Sequence, residues 1–355
     1  MIDEFIALWA QWGVLQDIKH YRAVKEAFGD LARAWKQITP GFFAKLGVGA
    51  EKVSRIFKIR EQLDFEWIVR MFSKLKVQLL CVDGEGYPSL LTHIKEPPPF
   101  LFVRGTLPPL HRTMGVVGTR KMTPYGRFVT EKFVADLVRN GFVIVSGLAN
   151  GVDACAHEQT LKQNGLTIAV LGTGVDSIYP PSNFRLAERI LSSGGAIISE
   201  FPLGTEALPH HFPQRNRIIS GLSRGVLVTE GGMKSGALIT AERAGEQGRD
   251  VFAVPCDISQ FNLSGTNKLI QDGAKLVQNA TDVLEFLNMK AVDWAQPKVY
   301  SSDEQAILNC LQNGGKTIDE LVEETPFNVA QLSAILIQLY LKNEVREMGQ
   351  KWVLF

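Results

Sequence analysis

Short apolar runs alternate with stretches of helical periodicity between about residue 66 and residue 290. Most of the intervals between the runs are long enough to hold a helix. This rhythm is typical of an α/β fold with a mainly parallel, doubly wound sheet, in which helices connect buried strands. The runs are TMGVVG, GFVIVSG, LTIAVLG, GGAIISE, RGVLVTEGG, RDVFAVP and AKLVQN.

Residues 1 to about 65 lack strand alternation and place apolar residues at helical spacing, which predicts a small helical N-terminal domain. Within it, FFAKLGVGAEKVSRI sets Gly47 and Gly49 between two amphipathic stretches. This is the pattern of a helix-hairpin-helix, whose backbone amides can bind a phosphate. An ordinary tight turn between two helices explains the same glycines and remains the alternative.

Residues 291–355 are expected to form a winged-helix-like domain. SSDEQAILNCL, TIDELVEET and NVAQLSAILIQLYLKN predict three helices, and VREMGQKWVLF predicts a short hairpin. The second helix opens with a capping box of Thr317 and Glu320. The region holds nine acidic and five basic residues, and its third helix carries only Lys342 at its end. Reading of DNA by that helix is therefore not expected.

Composition limits the class of protein. The chain has 355 residues, of which 45% are apolar and 21% charged, as in a globular protein of two or three domains. Its net charge of +1 gives almost no overall field, so affinity for nucleic acid must come from local clusters of basic residues.

The four cysteines are far apart and form no CxxC pair, which argues against a zinc site or a disulfide framework. Asp3 and Glu4 stand where a signal peptide would be basic, and no apolar run reaches the length of a membrane span. We therefore expect a cytoplasmic protein with no membrane span, no metal and no cofactor.

The ends of the predicted strands carry the candidate chemistry, because ligands of doubly wound sheets bind outside the carboxyl ends of the strands. After the run TMGVVG, Gly118 permits close backbone approach, Thr119 offers a hydroxyl, and Arg120 and Lys121 are basic. No acidic residue lies between positions 112 and 127. The stretch lacks the GxGxxG of a dinucleotide site, and the chain has no GxxxxGK[ST] phosphate loop.

A second basic cluster lies in HFPQRNRIISG and in the EGGMKSG that follows a later strand. Arg215 and Arg217 flank Asn216 at an expected helix start, and helix N-termini attract anions. Pairing of either arginine with an internal carboxylate such as Glu200 or Glu230 is the alternative, because buried arginine is normally paired. The second stretch contributes Gly231, Gly232, Lys234, Ser235 and Gly236.

Candidate catalytic groups are weaker. Asp153 and His157 lie four residues apart on one helix face and could form an acid–base pair, but a structural hydrogen bond is the favoured interpretation. His210 and His211 are adjacent and point different ways, which makes a shared metal improbable. Ser146 lacks a GxSxG elbow. No activated nucleophile is evident.

The combined strings resemble the DNA-processing protein A family, also called DprA or Smf, from about residue 80 to residue 275. The stretches that carry the resemblance are VGTR with TPYG, VSGLANGVDACAH, TIAVLGTGVDSIYPPSN, ISEFP, HFPQRNRIISGLS, LVTEGGMKSGALITAERAGEQGRDVFAVP and GTNKLIQDGA. The resemblance implies an extended Rossmann-like domain, a SAM-like helical N-terminal domain and a winged-helix C-terminal domain.

The resemblance also implies binding of single-stranded DNA, assembly as a homodimer, and help in loading the RecA recombinase during natural transformation. Arg120 matches the family's phosphate-gripping arginine. The family often has a basic residue after its YP, where this chain has Pro181, and Phe184 three positions later is expected either to stack on a base or to pack in a helix core. The candidate DNA-binding residues are Gly118, Thr119, Arg120, Lys121, Ser146, Gly147, Gly151, Asn183, Phe184, Arg215, Asn216, Arg217, Gly231, Gly232, Lys234, Ser235 and Gly236.

Two other classes of function stay open at this point. EGGMKSG is similar to the glycine loop of nucleoside-monophosphate phosphoribohydrolases, which would use Glu230 or Glu242 with an arginine for catalysis. A pure adaptor that binds only protein partners is the third class.

Overall fold

The structure is a computed structural model that describes residues 3–259, 264–290, 300–311, 314–341, 344–349 and 351–354. The chain divides into two compact units, residues 1–293 and 294–355. The described part of the larger unit holds one sheet of nine strands, in the order β1-β2-β6-β5-β4-β3-β7-β8-β9. The strands are β1 (Val77–Cys81), β2 (Phe100–Gly105), β3 (Thr113–Gly118), β4 (Val143–Ser146), β5 (Thr167–Val170), β6 (Ala196–Ser199), β7 (Gly225–Glu230), β8 (Asp250–Ala253) and β9 (Lys275–Leu276).

Strands β3 to β9 pair in parallel throughout, and each of the seven apolar runs forms one of them. The predicted parallel α/β sheet is therefore confirmed. Strands β1 and β2 extend it at the β6 edge by antiparallel pairing, which the alternation of runs and helices did not predict.

The order in which successive strands are added to the sheet changes direction between β3 and β7. From β3 it proceeds outward through β4, β5 and β6, and from β7 it proceeds the other way through β8 and β9. Connections that leave neighbouring strands in opposite directions open a crevice at their carboxyl ends. In this chain the crevice lies beyond Gly118 and Glu230.

Fourteen helices accompany the sheet in the described part of the larger unit. They are α1 (Glu4–Trp12), α2 (Ile18–Phe28), α3 (Leu31–Gln37), α4 (Pro40–Lys45), α5 (Ala50–Glu61), α6 (Phe65–Leu75), α7 (Ser89–Thr92), α8 (Pro124–Arg139), α9 (Val152–Lys162), α10 (Phe184–Ser192), α11 (His211–Gly221), α12 (Gly236–Glu246), α13 (Gly265–Gln271) and α14 (Ala280–Phe286).

The two faces of β3 show how the helices cover the sheet. Met114 and Val116 belong to a core that includes Phe133 of α8. Val117, on the opposite face, belongs to a core that includes Ile219 of α11 and Ala241 of α12. Successive side chains of a strand point to opposite faces, so a strand buried on both faces is a continuous apolar run.

The N-terminal helices form a core rich in tryptophan that is continuous with part of the sheet. The Trp9 indole N–H donates to the Leu31 carbonyl at 2.9 Å, and the Trp9 and Trp35 rings lie 5.3 Å apart. Phe72 of α6 packs on Phe102 of β2, with ring centroids 6.0 Å apart. The helical region thus continues to Leu75, past the boundary expected near residue 65.

Gly47 lies in the turn between α4 and α5 with φ +81°, a conformation that favours glycine. Two helices joined by a glycine turn are therefore present, as both the helix-hairpin-helix and the ordinary tight turn require. Binding of a phosphate at this turn stays a prediction.

The smaller unit contains α15 (Ser302–Leu311), α16 (Ile318–Glu324), α17 (Val329–Leu341) and a hairpin of β10 (Val345–Met348) and β11 (Lys351–Leu354). The predicted capping box is confirmed: the Thr317 amide donates to the Glu320 carboxylate, and the Glu320 amide donates to the Thr317 hydroxyl. Lys342 lies outside the described residues.

Within the described ranges no helix is long and apolar enough to cross a membrane. The same residues contain no group of three His, Cys, Asp or Glu side chains placed to hold a metal ion. All four cysteines are free thiols.

Candidate nucleic-acid interface

A cleft of about 730 Å³ occupies the crevice beyond β3 and β7. It brings together side chains and backbone from the loop after β3, the loop after β4, helix α11 and the loop that leads into α12. The sequence-predicted residues that line it are Gly118, Thr119, Arg120, Arg215, Asn216, Gly232, Lys234, Ser235 and Gly236.

The loop after β3 is fixed by the neighbouring elements. The Thr119 amide donates to the Glu230 carbonyl at 2.8 Å, and the Val152 amide of α9 donates to the Thr119 carbonyl at 3.1 Å. A Cβ at Gly118 would lie 2.6 Å from the Glu230 carbonyl oxygen, so only glycine fits there. Arg120 and Lys121, which follow, are both exposed.

Thr119 does not supply its amide to a phosphate. The Thr119 amide is already bonded to the Glu230 carbonyl of β7. The Thr119 hydroxyl also accepts from the Lys121 amide at 3.1 Å. The loop therefore presents the Arg120 side chain, and Thr119 serves to hold the loop in place.

Gly147 and Gly151 lie where neighbouring groups leave no room for a side chain. Gly151 has φ +80°, and a Cβ there would collide with the carbonyl oxygen of Thr119. A Cβ on Gly147 would collide with the guanidinium of Arg215. These glycines let the loop after β4 pass between the Arg120 loop and α11.

Arg215 forms the buried floor of the cleft. Its guanidinium donates to the Val170 carbonyl, and its Nε has no hydrogen-bond partner among the described residues. Burial lowers the pKa of Arg215 to about 10; nearby Asp153 opposes this shift, and the positive charge of Arg120 adds to it. The two arginines are thus close enough to repel each other, which an anion in the cleft would offset.

The loop before α12 supplies the third side of the cleft. Met233 and Lys234 are exposed, and the Ser235 hydroxyl caps α12 by accepting from the Ala237 amide at 3.3 Å. The Asn216 side chain donates to the Gly236 carbonyl at 3.3 Å, which ties α11 to the start of α12. Behind this loop the Gly265 amide donates to the Gly231 carbonyl, so buried Gly231 supports the loop.

Two family models match this chain. Residues 78–288 match the model of DNA recombination-mediator protein A, and residues 294–351 match the DprA winged helix domain. The chain belongs to the DprA/Smf family.

Curated relatives agree with this membership. Protein Smf of Synechocystis sp. is 39% identical over 85% of this chain and 76% of its own length. The DNA processing protein DprA of Streptococcus pneumoniae is 48% identical over 63% of this chain and 78% of its own length.

Two solved structures resemble the fold. The X-ray structure of DprA from Streptococcus pneumoniae matches with a TM-score of 0.67 and 38% identity, covering 80% of this chain and 98% of that one. The DNA processing protein A of Helicobacter pylori, whose structure concerns its single-stranded DNA binding mode, matches with a TM-score of 0.54 and 30% identity. The match covers 61% of this chain and 97% of the Helicobacter pylori chain.

Arg217 lies elsewhere in this DprA-family chain. Its guanidinium donates to both oxygens of the Glu200 carboxylate, at 2.9 and 2.7 Å, and both side chains are buried. The structure therefore supports the pairing alternative for Arg217, which does not line the cleft. Arg215 and Arg217 are two positions apart on a helix, so their side chains point in different directions.

Three further candidates have structural partners or lie beyond the cleft lining. The buried Ser146 hydroxyl donates to the Val116 carbonyl at 2.7 Å, and the buried Asn183 amide donates to the Leu148 carbonyl at 2.8 Å. Phe184 opens α10 with 55% of its surface exposed, so the alternative of a buried core position is wrong. Its exposure leaves base stacking as a prediction.

The groups considered for catalysis are engaged elsewhere. Asp153 accepts from the Gly147 and Ala149 amides, and His157 Nδ1 lies 2.7 Å from the Thr167 hydroxyl, so no bond joins the two side chains. The structural hydrogen bond favoured for this pair is therefore wrong, because each side chain is bonded to other groups. The Glu230 carboxylate accepts from the amide and hydroxyl of Thr123, and Glu242 is exposed on α12.

Sequence reasoning missed the aromatic side of the site. Phe212 lines the cleft beneath Arg120, with the guanidinium carbon 5.4 Å from the ring centroid, and Tyr179 packs on Phe212 at 5.5 Å. Tyr179 and Phe212 both lie in stretches that carry the family resemblance. They are far apart in the sequence, however, and nothing in the sequence predicted that the two rings touch.

We predict that Arg217 stabilises the fold without taking part in DNA binding. Arg217→Met should lower the free energy of unfolding by about 3–5 kcal/mol, because it leaves the Glu200 carboxylate buried and unpaired. The double variant Arg217→Met, Glu200→Leu should recover most of this loss in urea unfolding and should bind DNA like the unchanged chain. A folded double variant with greatly reduced DNA affinity would restore Arg217 to the site.

The buried His157 should make stability depend on pH. Thr167 donates its own hydroxyl to the Ile144 carbonyl, so His157 Nδ1–H donates to Thr167. The buried Nε2 has no hydrogen-bond partner in the part of the chain that the structure describes. Burial lowers the pKa of His157 to about 3. Since the unfolded histidine takes up its proton near pH 6.5, unfolding gains that proton and stability falls as the pH drops from about 6.5 toward 3.

The comparison with His157→Asn isolates this contribution. The difference in unfolding free energy between the unchanged chain and His157→Asn should change by up to about 1.4 kcal/mol per pH unit between about pH 6.5 and pH 3. It should be constant above about pH 7. Urea unfolding at a series of pH values measures it. Parallel pH profiles for the two proteins would show that His157 titrates normally.

Proposed function

We propose that this chain binds single-stranded DNA along the carboxyl edge of its sheet. The observation that carries the proposal is the cleft at the β3/β7 switch point, where exposed Arg120 and Lys234 lie above the buried Arg215. Positive groups on three separate elements suit the phosphates of a backbone that crosses the crevice.

A nucleic-acid strand fits this cleft better than a dinucleotide does. A dinucleotide site needs free backbone amides at the first glycine turn, and here the Thr119 amide is bonded to the Glu230 carbonyl. Side-chain cations carried by separate elements can hold successive phosphates without reading bases. Affinity is therefore expected to be salt dependent and tolerant of sequence.

The relatives support the same function. The Helicobacter pylori protein, whose structure concerns a single-stranded DNA binding mode, matches 61% of this chain. The family model that covers residues 78–288 is named for mediation of DNA recombination. We infer that this chain helps to load RecA on single-stranded DNA in natural transformation or another recombination pathway. A shorter lag in the DNA-dependent ATP hydrolysis of RecA would support this role, and an unchanged lag would contradict it.

We further propose that the chain acts as a cytoplasmic homodimer. Residues Ile258 and Leu276, near the end of the larger unit, are exposed apolar side chains that a second copy could cover. Two DNA clefts in one assembly would bind a long strand more tightly than one cleft does. Sedimentation as a monomer at micromolar concentration, with and without DNA, would contradict the dimer.

The proposed role is binding without catalysis. A phosphoribohydrolase would need a free carboxylate by the glycine loop, whereas the buried Glu230 carboxylate accepts two hydrogen bonds from Thr123. Incubation with AMP should release no adenine; release that disappears in Glu242→Gln would favour the enzyme.

Replacing Arg120 by Ala should weaken binding of single-stranded DNA to a similar extent for different sequences. The loss of one phosphate contact should make the dependence of log affinity on log salt shallower by roughly 0.7. Fluorescence anisotropy across a range of salt concentrations measures both effects, and circular dichroism checks that the variant is folded.

Arg127→Ala is the matched control, because Arg127 is exposed on α8 and pairs with Glu131 at 3.7 Å, outside the cleft lining. It should change neither affinity nor slope. An unchanged affinity and slope in a folded Arg120→Ala variant would remove Arg120 from the site.

A variant that lacks residues 291–355 should retain most of its affinity for single-stranded DNA, because the removed region is net acidic. We propose that this winged-helix domain serves a protein partner. Anisotropy with single-stranded and double-stranded oligonucleotides tests the variant. Nearly complete loss of binding by a folded truncated chain would move the DNA site out of the larger unit.

A further inference from the structure

An exposed aromatic surface adjoins the phosphate-binding side of the cleft. The Tyr179 ring is 43% exposed and contacts Phe212 at 5.5 Å with an angle of 41° between the rings. Phe212 also lies under the Arg120 guanidinium at 5.4 Å. The Phe212 ring thus contacts both the Arg120 guanidinium and the solvent-exposed Tyr179 ring.

The position of Phe212 is set by close packing. A Cβ on Gly172 would lie 3.0 Å from Phe212 Cδ1, so the ring occupies space that glycine leaves at the end of β5. Phe212 belongs to the first turn of α11, the helix that also carries Arg215. This ring therefore orients Arg120 and Tyr179 relative to the rest of the cleft.

Tyr179 stands at the end of a well-bonded loop. The Thr173 hydroxyl donates to the Ser177 carbonyl at 2.5 Å, and the Gly204 amide donates to the Asp176 carboxylate at 3.0 Å. On the other side, the Asn183 amide side chain donates to the Leu148 carbonyl at 2.8 Å. Because the chain is bonded on both sides of Tyr179, this segment loses little conformational freedom on binding, which favours affinity.

We propose that Tyr179 stacks on a base of the single strand next to the phosphate held by Arg120. Every base has an aromatic face, so stacking adds affinity without reading sequence. The inference rests on the proposed binding of single-stranded DNA. It adds Tyr179 as a contact residue and Phe212 as the positioning residue between the base and phosphate subsites.

Stacking has a signature that differs from a phosphate contact. Removing the Tyr179 ring removes no cation, so the salt slope should stay unchanged while affinity falls. If Tyr179 acted only by holding Arg120 in place through Phe212, its removal would lower the salt slope as Arg120→Ala does. The slope therefore separates the two roles.

The test compares Tyr179→Ala, Tyr179→Phe and the unchanged chain on short single-stranded oligonucleotides. Tyr179→Ala should weaken binding by about 5- to 150-fold with the same salt slope, and Tyr179→Phe should bind like the unchanged chain. Phe128→Ala is the matched control, because Phe128 is 63% exposed on α8 and lies outside the cleft lining; it should have no effect.

A series of oligonucleotides with one abasic position each identifies the stacked base. At one position the unchanged chain should lose affinity, while Tyr179→Ala should lose almost none, because the two changes remove the same contact. A 2-aminopurine at that position should change its fluorescence on binding to the unchanged chain and much less on binding to Tyr179→Ala.

Equal losses for both proteins at every abasic position, or a lower salt slope in Tyr179→Ala, would overturn the stacking role. The proposed function fails separately, if the unchanged chain binds no single-stranded DNA.

Discussion

Glu230 holds both ends of the loop on which the candidate interface depends. Its backbone carbonyl accepts from the Thr119 amide at 2.8 Å, and its carboxylate accepts from the Thr123 amide at 2.9 Å and from the Thr123 hydroxyl. Arg120 and Lys121 lie between these two anchors. Glu230 is the last residue of β7, so the pairing of β7 with β3 directly fixes where the cations stand.

The same anchoring explains why the loop needs small residues around it. Gly126 lies beside the Glu230 carboxylate, where a Cβ would collide with the side chain, and Gly151 passes against the Thr119 carbonyl. These positions restrict the backbone on both sides of Arg120. The long side chain of Arg120 remains exposed, and its contact with Phe212 limits where the guanidinium can lie.

Much of this arrangement follows from the sequence. Seven apolar runs predicted the parallel strands, and because ligands bind at carboxyl ends, their ends predicted which edge carries the site. Arg120 was found because it directly follows a strand. Strands β1 and β2 were missed because they pair antiparallel at one edge and fall outside the rhythm of parallel strands and long helices.

The errors arise where tertiary packing decides the outcome. The sequence predicted a helix start around Arg215 and Arg217, but α11 begins at His211, so both arginines lie beyond its first turn. Only the packing of α11 sends Arg217 to Glu200. The Thr119 amide is similar: its bond to Glu230 depends on the register shift between β3 and β7 at Val117 and Gly118. Such contacts join residues distant in the sequence, which periodicity cannot detect.

Burial gives the two arginines of the cleft different physical roles. Arg215 is desolvated and bonded to a carbonyl, and nearby Asp153 stabilises its charge, so this charge is fixed in place at the cleft floor. Arg120 is exposed and rests on an aromatic ring, so it can exchange water for a phosphate at small cost. With Arg215 fixed and Arg120 adjustable, successive phosphates of a strand could occupy the cleft in turn without any rearrangement of the core. For a chain whose net charge is only +1, this local division explains how one edge could attract a polyanion.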